Sequence, residues 1–155
     1  RLLIPPSDLR QSATALRIAR GVRRHLHHAG FSTLTELPLR SGRRADVVAI
    51  SARGEIRIIE IKSSLADLRA DLKWPDYRQH CDQLYFATVA GVPEDAFPED
   101  AGLMIADGFD AAVIRVAPAH PLAAATRKEL LLRFARLAAH RLHQLVDPEI
   151  GTFST

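Results

Sequence analysis

The sequence holds one cysteine, Cys81. No internal disulfide can form, a reducing cytoplasm suits the chain, and a Cys-rich zinc centre is excluded. Lysine is nearly as scarce, with Lys62, Lys73 and Lys128 standing against eighteen arginines. No apolar run approaches the roughly 18 residues of a membrane span. The opening RLLIPPSDLR is interrupted by Pro5 and Pro6, which leaves too short a stretch for a signal peptide. A glycine-rich phosphate loop and a nucleophile elbow are both missing, as are internal repeats and low-complexity segments.

The 155 residues present are 47% hydrophobic, enough to bury one core. They read as a single domain over 1–146 with an irregular tail over 147–155. Charge is unevenly spread: residues 1–57 carry eleven arginines and four acids, whereas residues 58–110 carry four bases and eleven acids. Residues 111–155 return to six bases and three acids. An acidic middle between basic ends can hold cations while the ends hold phosphates, although an ordinary solvated surface has the same composition. Two of the three lysines fall between 62 and 73, beside the acids, where a compact ammonium can do what a guanidinium cannot.

Spacing of the apolar residues predicts a helix from a Ser7 cap to about Ala29, with Leu9, Ala13, Leu16, Ala19, Val22, Leu26 and Ala29 inward. Strands are expected over 33–39, 43–51 and 55–62. Ser64 opens a helix in a capping-box pattern with Asp67, its buried stripe being Leu65, Leu68 and Leu72. Pro75 breaks that helix and starts a short one through Cys81. A fourth strand, Leu84 to Val89, is expected parallel to the third because a helical crossover separates them. Strands near 103–107 and 111–116 precede a helix over 122–145, with Leu130, Leu131, Phe134, Leu137, Ala138, Leu142 and Leu145 as its stripe. The order describes an α/β fold with one mixed sheet flanked by helices.

Alternation places Glu60 and Lys62 on one face of the third strand, together with Ile56 and Ile58, and Asp46 on a face of the second with Val48 and Ile50. Three-residue hairpin loops end in a left-handed residue, usually glycine, and both Arg40-Ser41-Gly42 and Ala52-Arg53-Gly54 fit. Counting back from those turns sets Asp46 opposite Glu60, and Glu36 opposite Asp46. Three carboxylates in one row repel and call for a cation. Arg44 and Lys62, one step along, supply part of it. Oxygen-only ligation suits Mg²⁺ or Mn²⁺ for the remainder.

Asp46 followed fourteen residues later by Glu60-Ile61-Lys62, on a hairpin leading into a helix, resembles the PD-(D/E)XK nuclease signature. The longer segments ELPLRSGRRADVVAI, IIEIKSSLADLRADLKWPDYRQHCDQLYFA and GLMIADG resemble the MmcB family of DNA-repair endonucleases, over roughly residues 10–140. Ala45 replaces the proline of the superfamily name, and the first helix has no acid beyond Asp8, so the accessory carboxylate would be Glu36.

That resemblance implies a restriction-endonuclease-like αβββαβ core and hydrolysis of DNA phosphodiester bonds. Asp46, Glu60 and the Ile61 carbonyl would be metal ligands, and Lys62 would orient water and offset phosphorane charge. Glu36 either joins the site or pairs with Arg44. Ser63 and Ser64 stand at a helix start that favours phosphate, although capping explains Ser64 equally well. Lys73, Arg44 and the first-helix residues Arg17, Arg20 and Arg24 are further candidate DNA contacts. Trp74 is a stacking platform or, better, a core residue. His25, His27 and His28 complement a helix C-terminus rather than hold zinc, and Cys81 is structural. Arg133, Arg136 and His140 form either a phosphate-binding or a solvated face. An inactive nucleic-acid-binding module is the alternative of another class.

Overall fold

A computed structural model describes residues 6–153, with side chains described from residue 13 onward. The expected Ser7 cap and the inward Leu9 lie outside the described side chains. Helix α1 (Pro6–His28) leads into a meander of three antiparallel strands, β1 (Ser32–Pro38), β2 (Arg44–Ile50) and β3 (Ile56–Ile61). Helix α2 (Leu65–Ala70) and a 3₁₀ helix (Trp74–His80) cross over to β4 (Gln83–Thr88). Strand β4 lies parallel to β3, as the helical crossover requires, and β5 (Gly102–Ala106) lies parallel to β4. Antiparallel β6 (Ala111–Arg115) closes a six-stranded mixed sheet in the order β1-β2-β3-β4-β5-β6. Helix α3 (Ala124–Val146) follows. The tail, expected to be irregular, forms a 3₁₀ turn (Pro148–Ile150), and Phe153 stacks on His140 of α3. Among the described residues no helix is long and apolar enough to cross a membrane.

The two faces of the sheet bury different clusters. On one, Ile18, Val22 and Leu26 of α1 pack on Val47, Ala49, Ile59, Tyr85 and Met104. On the other, Leu130 and Leu137 of α3 pack on Val48, Ile56, Ile58 and Leu84. A third cluster, of Leu68, Phe86, Phe97 and Leu103, continues beneath α2. Alternation in β3 thus sends its even-numbered residues towards α3 and α2, and its odd-numbered residues towards α1.

Three helix stripes differ from the periodicity reading. Leu16 is exposed, and Ile18, absent from the expected stripe, takes its place in the core. Leu72 is 85% exposed because α2 stops at Ala70, so the third leucine of its stripe has left the helix. Leu142 and Leu145 are exposed because α3 outruns the sheet at its C-terminal end. A Cβ at Gly21 would stand 2.1 Å from the Asp107 carbonyl oxygen, so only glycine lets α1 approach the turn between β5 and β6 this closely.

The carboxylate of Asp82 ties the sheet to α3. It accepts from the N–H groups of Ile56 and Leu122 at 2.7 and 2.8 Å and from both terminal nitrogens of Arg127 at 2.6 and 2.7 Å. Burial alone would raise its pKa, but the Arg127 guanidinium and the two backbone donors overcome that and hold it below the ordinary aspartate value. Its contribution to stability is therefore present above the unfolded aspartate pKa and is lost as pH falls through the depressed one. Arg127→Ala leaves a buried carboxylate partly paired and should cost about 3 kcal/mol, measured by urea unfolding at pH 7. Asp82→Ala, which also orphans the N–H groups of Ile56 and Leu122, should cost more; the reverse order would show that Asp82 is not the hub.

Candidate active site

Both glycine-ended turns form as their sequences dictate. Gly42 and Gly54 adopt φ of 88° and 83°, Leu39 N–H donates to Arg43 O, and Ser51 N–H donates to Glu55 O. The β2–β3 register that follows pairs Val47 with Ile59 and Val48 with Ile58, which brings Asp46 level with Glu60. There the ordinary ladder gives way to side chains. Asp46 N–H donates to Glu60 Oε2 at 2.9 Å, and Ile61 N–H donates to Asp46 Oδ2 at 2.8 Å. Each carboxylate satisfies a main-chain donor of the facing strand.

This exchange sits in a dry place. Glu60 is only 3% exposed, opposite Phe86 of β4 and on the face covered by α3 and α2. Burial, and then the charge of Asp46, push its pKa up to about 9. Burial also raises Asp46, against the opposing effect of the Ile61 N–H and of Glu60 itself. Burial and the neighbouring charge thus both favour a protonated Glu60 beside Asp46. Tyr77 closes the site from the 3₁₀ helix: its hydroxyl donates to Arg44 O at 3.2 Å and also meets Glu60.

The expected row of three carboxylates holds only two together. Thr35↔Val47 and Leu37↔Ala45 keep the counted register, with Glu36 level with Asp46, but Glu36 itself makes no ladder pair and its φ of 55° is left-handed. A glutamate held there is strained by about 1–2 kcal/mol. That kink sends Leu37 and Leu39 into the cluster under α3 and turns the Glu36 side chain outward, 3.9 Å from Arg44 Nη1. Glu36 still faces Asp46 electrostatically; burial first and Asp46 next raise its pKa.

Lys62 shares the Glu60 face as expected, but its ammonium does not rest on the carboxylate pair. Its Nζ lies 2.7 Å from Asp71 Oδ2, and both side chains are largely enclosed. Asp71, the C-cap of α2, went unrecognised in the sequence because nothing in its spacing marks it; only the fold of α2 back over β3 brings it there. Ser64 accepts from Asp67 N–H as a cap, and the Asp67 carboxylate takes the Ser63 N–H instead of completing the box on Ser64. Both serines are therefore engaged in capping. Lys73 is exposed at the start of the 3₁₀ helix, whereas Trp74 is packed edge-on against Phe86. Cys81 is buried and its thiol pushed up to about 12 by burial, which makes it structural. Arg17, Arg20 and Arg24 belong to the opposite face of the sheet, where Arg24 Nε donates to Phe109 O and Arg20 lies over the Phe109 ring.

Among the described residues no three His, Cys, Asp or Glu side chains converge on one point. The donor chemistry nevertheless fits a hard divalent cation: two adjacent carboxylates, Glu60 buried and Asp46 half-buried, with oxygen donors only. Asp46 and Glu60 would hold it, with water completing its shell.

A family model described as DNA repair protein MmcB-like matches residues 4–149. A solved structure of a protein of unknown function from Silicibacter pomeroyi is 44% identical, superposes with a TM-score of 0.86, and aligns over 92% of this chain and 97% of its own. No curated protein matches.

Protonation of Glu60 has a thermodynamic signature. Because the Glu60 pKa is raised when folded, the folded chain binds more protons than the unfolded one between pH 4.5 and about 9. Stability must then fall as pH rises through that window. Thermal melts in EDTA should show a lower Tm at pH 8.5 than at pH 6, and Glu60→Gln should flatten the difference. Parallel pH profiles for the two proteins would place the proton elsewhere.

Proposed function

The chain belongs to the MmcB-like family of DNA repair proteins, and from that premise we propose that it is a metal-dependent DNA endonuclease with a restriction-endonuclease-like core. The observation that carries this reading is the contact of half-buried Asp46 with buried Glu60 at the splayed end of a hairpin, with Lys62 one step along the same face. The splayed ladder needs two acceptors there, but neutral ones would satisfy both N–H groups without the repulsion. Like charges in contact are retained at a cost, and a ligand that rewards them explains their presence.

Asp46 and Glu60 hold the cation, Mg²⁺ or Mn²⁺, with the Ile61 carbonyl as a further donor. When bound, the cation supplies Lewis-acid polarisation of the scissile phosphate. The remaining work belongs to the chain. Glu60 gives up its proton as the site loads, so affinity for the cation rises with pH towards 9. Asp71 keeps the Lys62 ammonium in place until a phosphate competes for it; Lys62 then offsets charge developing on the phosphorane. Tyr77 keeps Glu60 oriented, and the left-handed turn at Glu36 leaves its carboxylate outside this pair as an accessory acid.

One observation favours a second reading, a nucleic-acid-binding module without catalysis. The carboxylates face main-chain N–H groups and Lys62 faces Asp71, so every charged group of the site has a partner within the chain. A panel of labelled single-stranded, branched and duplex DNAs, incubated with Mg²⁺, Mn²⁺ or EDTA, separates the two. Lys62→Ala should lower cleavage at least a hundredfold with DNA affinity changed less than threefold, and Asp46→Asn should abolish it. Wild-type protein that cuts nothing and shows no thermal shift with either cation would leave the binding module.

A further inference from the structure

A groove of about 570 Å³ runs between α1 and β1, lined by Leu16, Ala19, Arg20, Arg23, Arg24, His27, His28, Thr33 and Thr35. Its described lining contains three arginines and two histidines and no acid. Its cations do not stop at its mouth. Arg23 Nε donates to Thr33 Oγ1 at 3.0 Å. Two residues along β1, Arg141 of α3 reaches over from the other face to the Thr35 and Glu36 carbonyls at 2.6 and 3.2 Å. Arg44 follows, at Glu36. Arg23, Arg141 and Arg44 thus mark successive steps along an edge strand, over about 10 Å at strand rise. The last step, Glu36, lies beside Asp46.

Guanidinium groups gathered this way repel one another. Burial lowers the Arg141 pKa first; Glu36 opposes that, and Arg23 and Arg44 add to the lowering. Ordinary surface arginines disperse or find carboxylates, and the acids nearest this row are too few to neutralise it. A polyanion would remove the repulsion along the whole row at once.

We propose that the α1–β1 groove is a binding site for single-stranded DNA, whose backbone passes around the β1 edge to the Asp46–Glu60 pair. The direction of the track rests on the nuclease reading above; the groove itself does not. Geometry selects the single strand. The groove lies on the α1 face and the carboxylates on the α3 face, so an occupant of both must turn around a sheet edge within a few residues. Duplex DNA, stiff over about 150 base pairs, cannot follow that turn, whereas a single strand can. Exposed Leu16 and half-buried Ala19 give the bases an apolar wall while the arginines take the phosphates.

Fluorescence anisotropy with a labelled 20-nucleotide single strand and a blunt 20-base-pair duplex, both in EDTA, reads the groove without any cleavage. Wild-type protein should bind the single strand more tightly. Arg20→Gln/Arg23→Gln should weaken that binding about tenfold and reduce the salt slope by about 1.4, the loss of two single-strand phosphate contacts. Arg53→Gln/Lys128→Gln, an equal loss of charge outside the groove, should change it less than twofold. If the lost Thr33 contact loosens β1, Arg20→Gln alone gives the same readout at about threefold. Duplex binding as tight as single-strand binding, or a groove variant that binds and responds to salt like wild type, overturns the proposal. Failure of the nuclease reading shows separately: wild type then cuts nothing, while the anisotropy comparison still decides the groove.

Discussion

Everything at the site depends on two carboxylates standing in for main chain. At the end of the β2–β3 hairpin the strands no longer bond to each other, and Asp46 and Glu60 take the exposed N–H groups instead. A splayed hairpin end in a dry interior would otherwise leave donors unsatisfied, at about 1–3 kcal/mol each. The same bonds hold both acids close enough to repel. Protonation of Glu60 eases that conflict in the free protein, and the proposed divalent cation would ease it further. Structure and proposed chemistry are therefore consequences of a single arrangement.

Lys62 shows how the surrounding shell follows from that arrangement. With a proton already reducing the charge on the pair, its ammonium is better placed on Asp71, which the short α2 carries back over β3. The partner neutralises an enclosed ammonium, so removing it would free the lysine and also leave a buried charge unpaired. Tyr77 acts similarly from the opposite side, bridging Arg44 and Glu60 across the hairpin.

Much of this was legible in the sequence for a local reason. Gly42 and Gly54 fix two turns, the turns fix the register, and the period of two then assigns each side chain to a face. The Asp46–Glu60 pairing and the shared face of Lys62 follow from counting. What counting cannot reach is decided by tertiary context. A left-handed glutamate carries no signature of its own, so Glu36 looked like a third member of the row. Helix periodicity locates an apolar face but not where the sheet beneath it ends, which is why Leu72, Leu142 and Leu145 are exposed. Asp71 meets Lys62 only because α2 folds back over β3, and Arg141 reaches β1 from more than a hundred residues away. Arg17, Arg20 and Arg24 are legible as candidate DNA contacts, but only the sheet sets them on the face opposite the carboxylates.

The alternation of antiparallel and parallel pairing also orders events in time. Joining β1 to β2 and β2 to β3 closes loops of only a few residues, whereas setting Arg57 of β3 against Gln83 of β4 encloses all of α2 and the 3₁₀ helix. Loop-closure entropy favours the hairpins first. Asp46 and Glu60 thus meet while water still surrounds them and both can remain ionised. The later arrival of β4, α2 and α3 removes that water, and the pair must take a proton from solvent as the core closes. Final collapse is coupled to proton uptake, so alkaline solution opposes the last step of folding rather than the first.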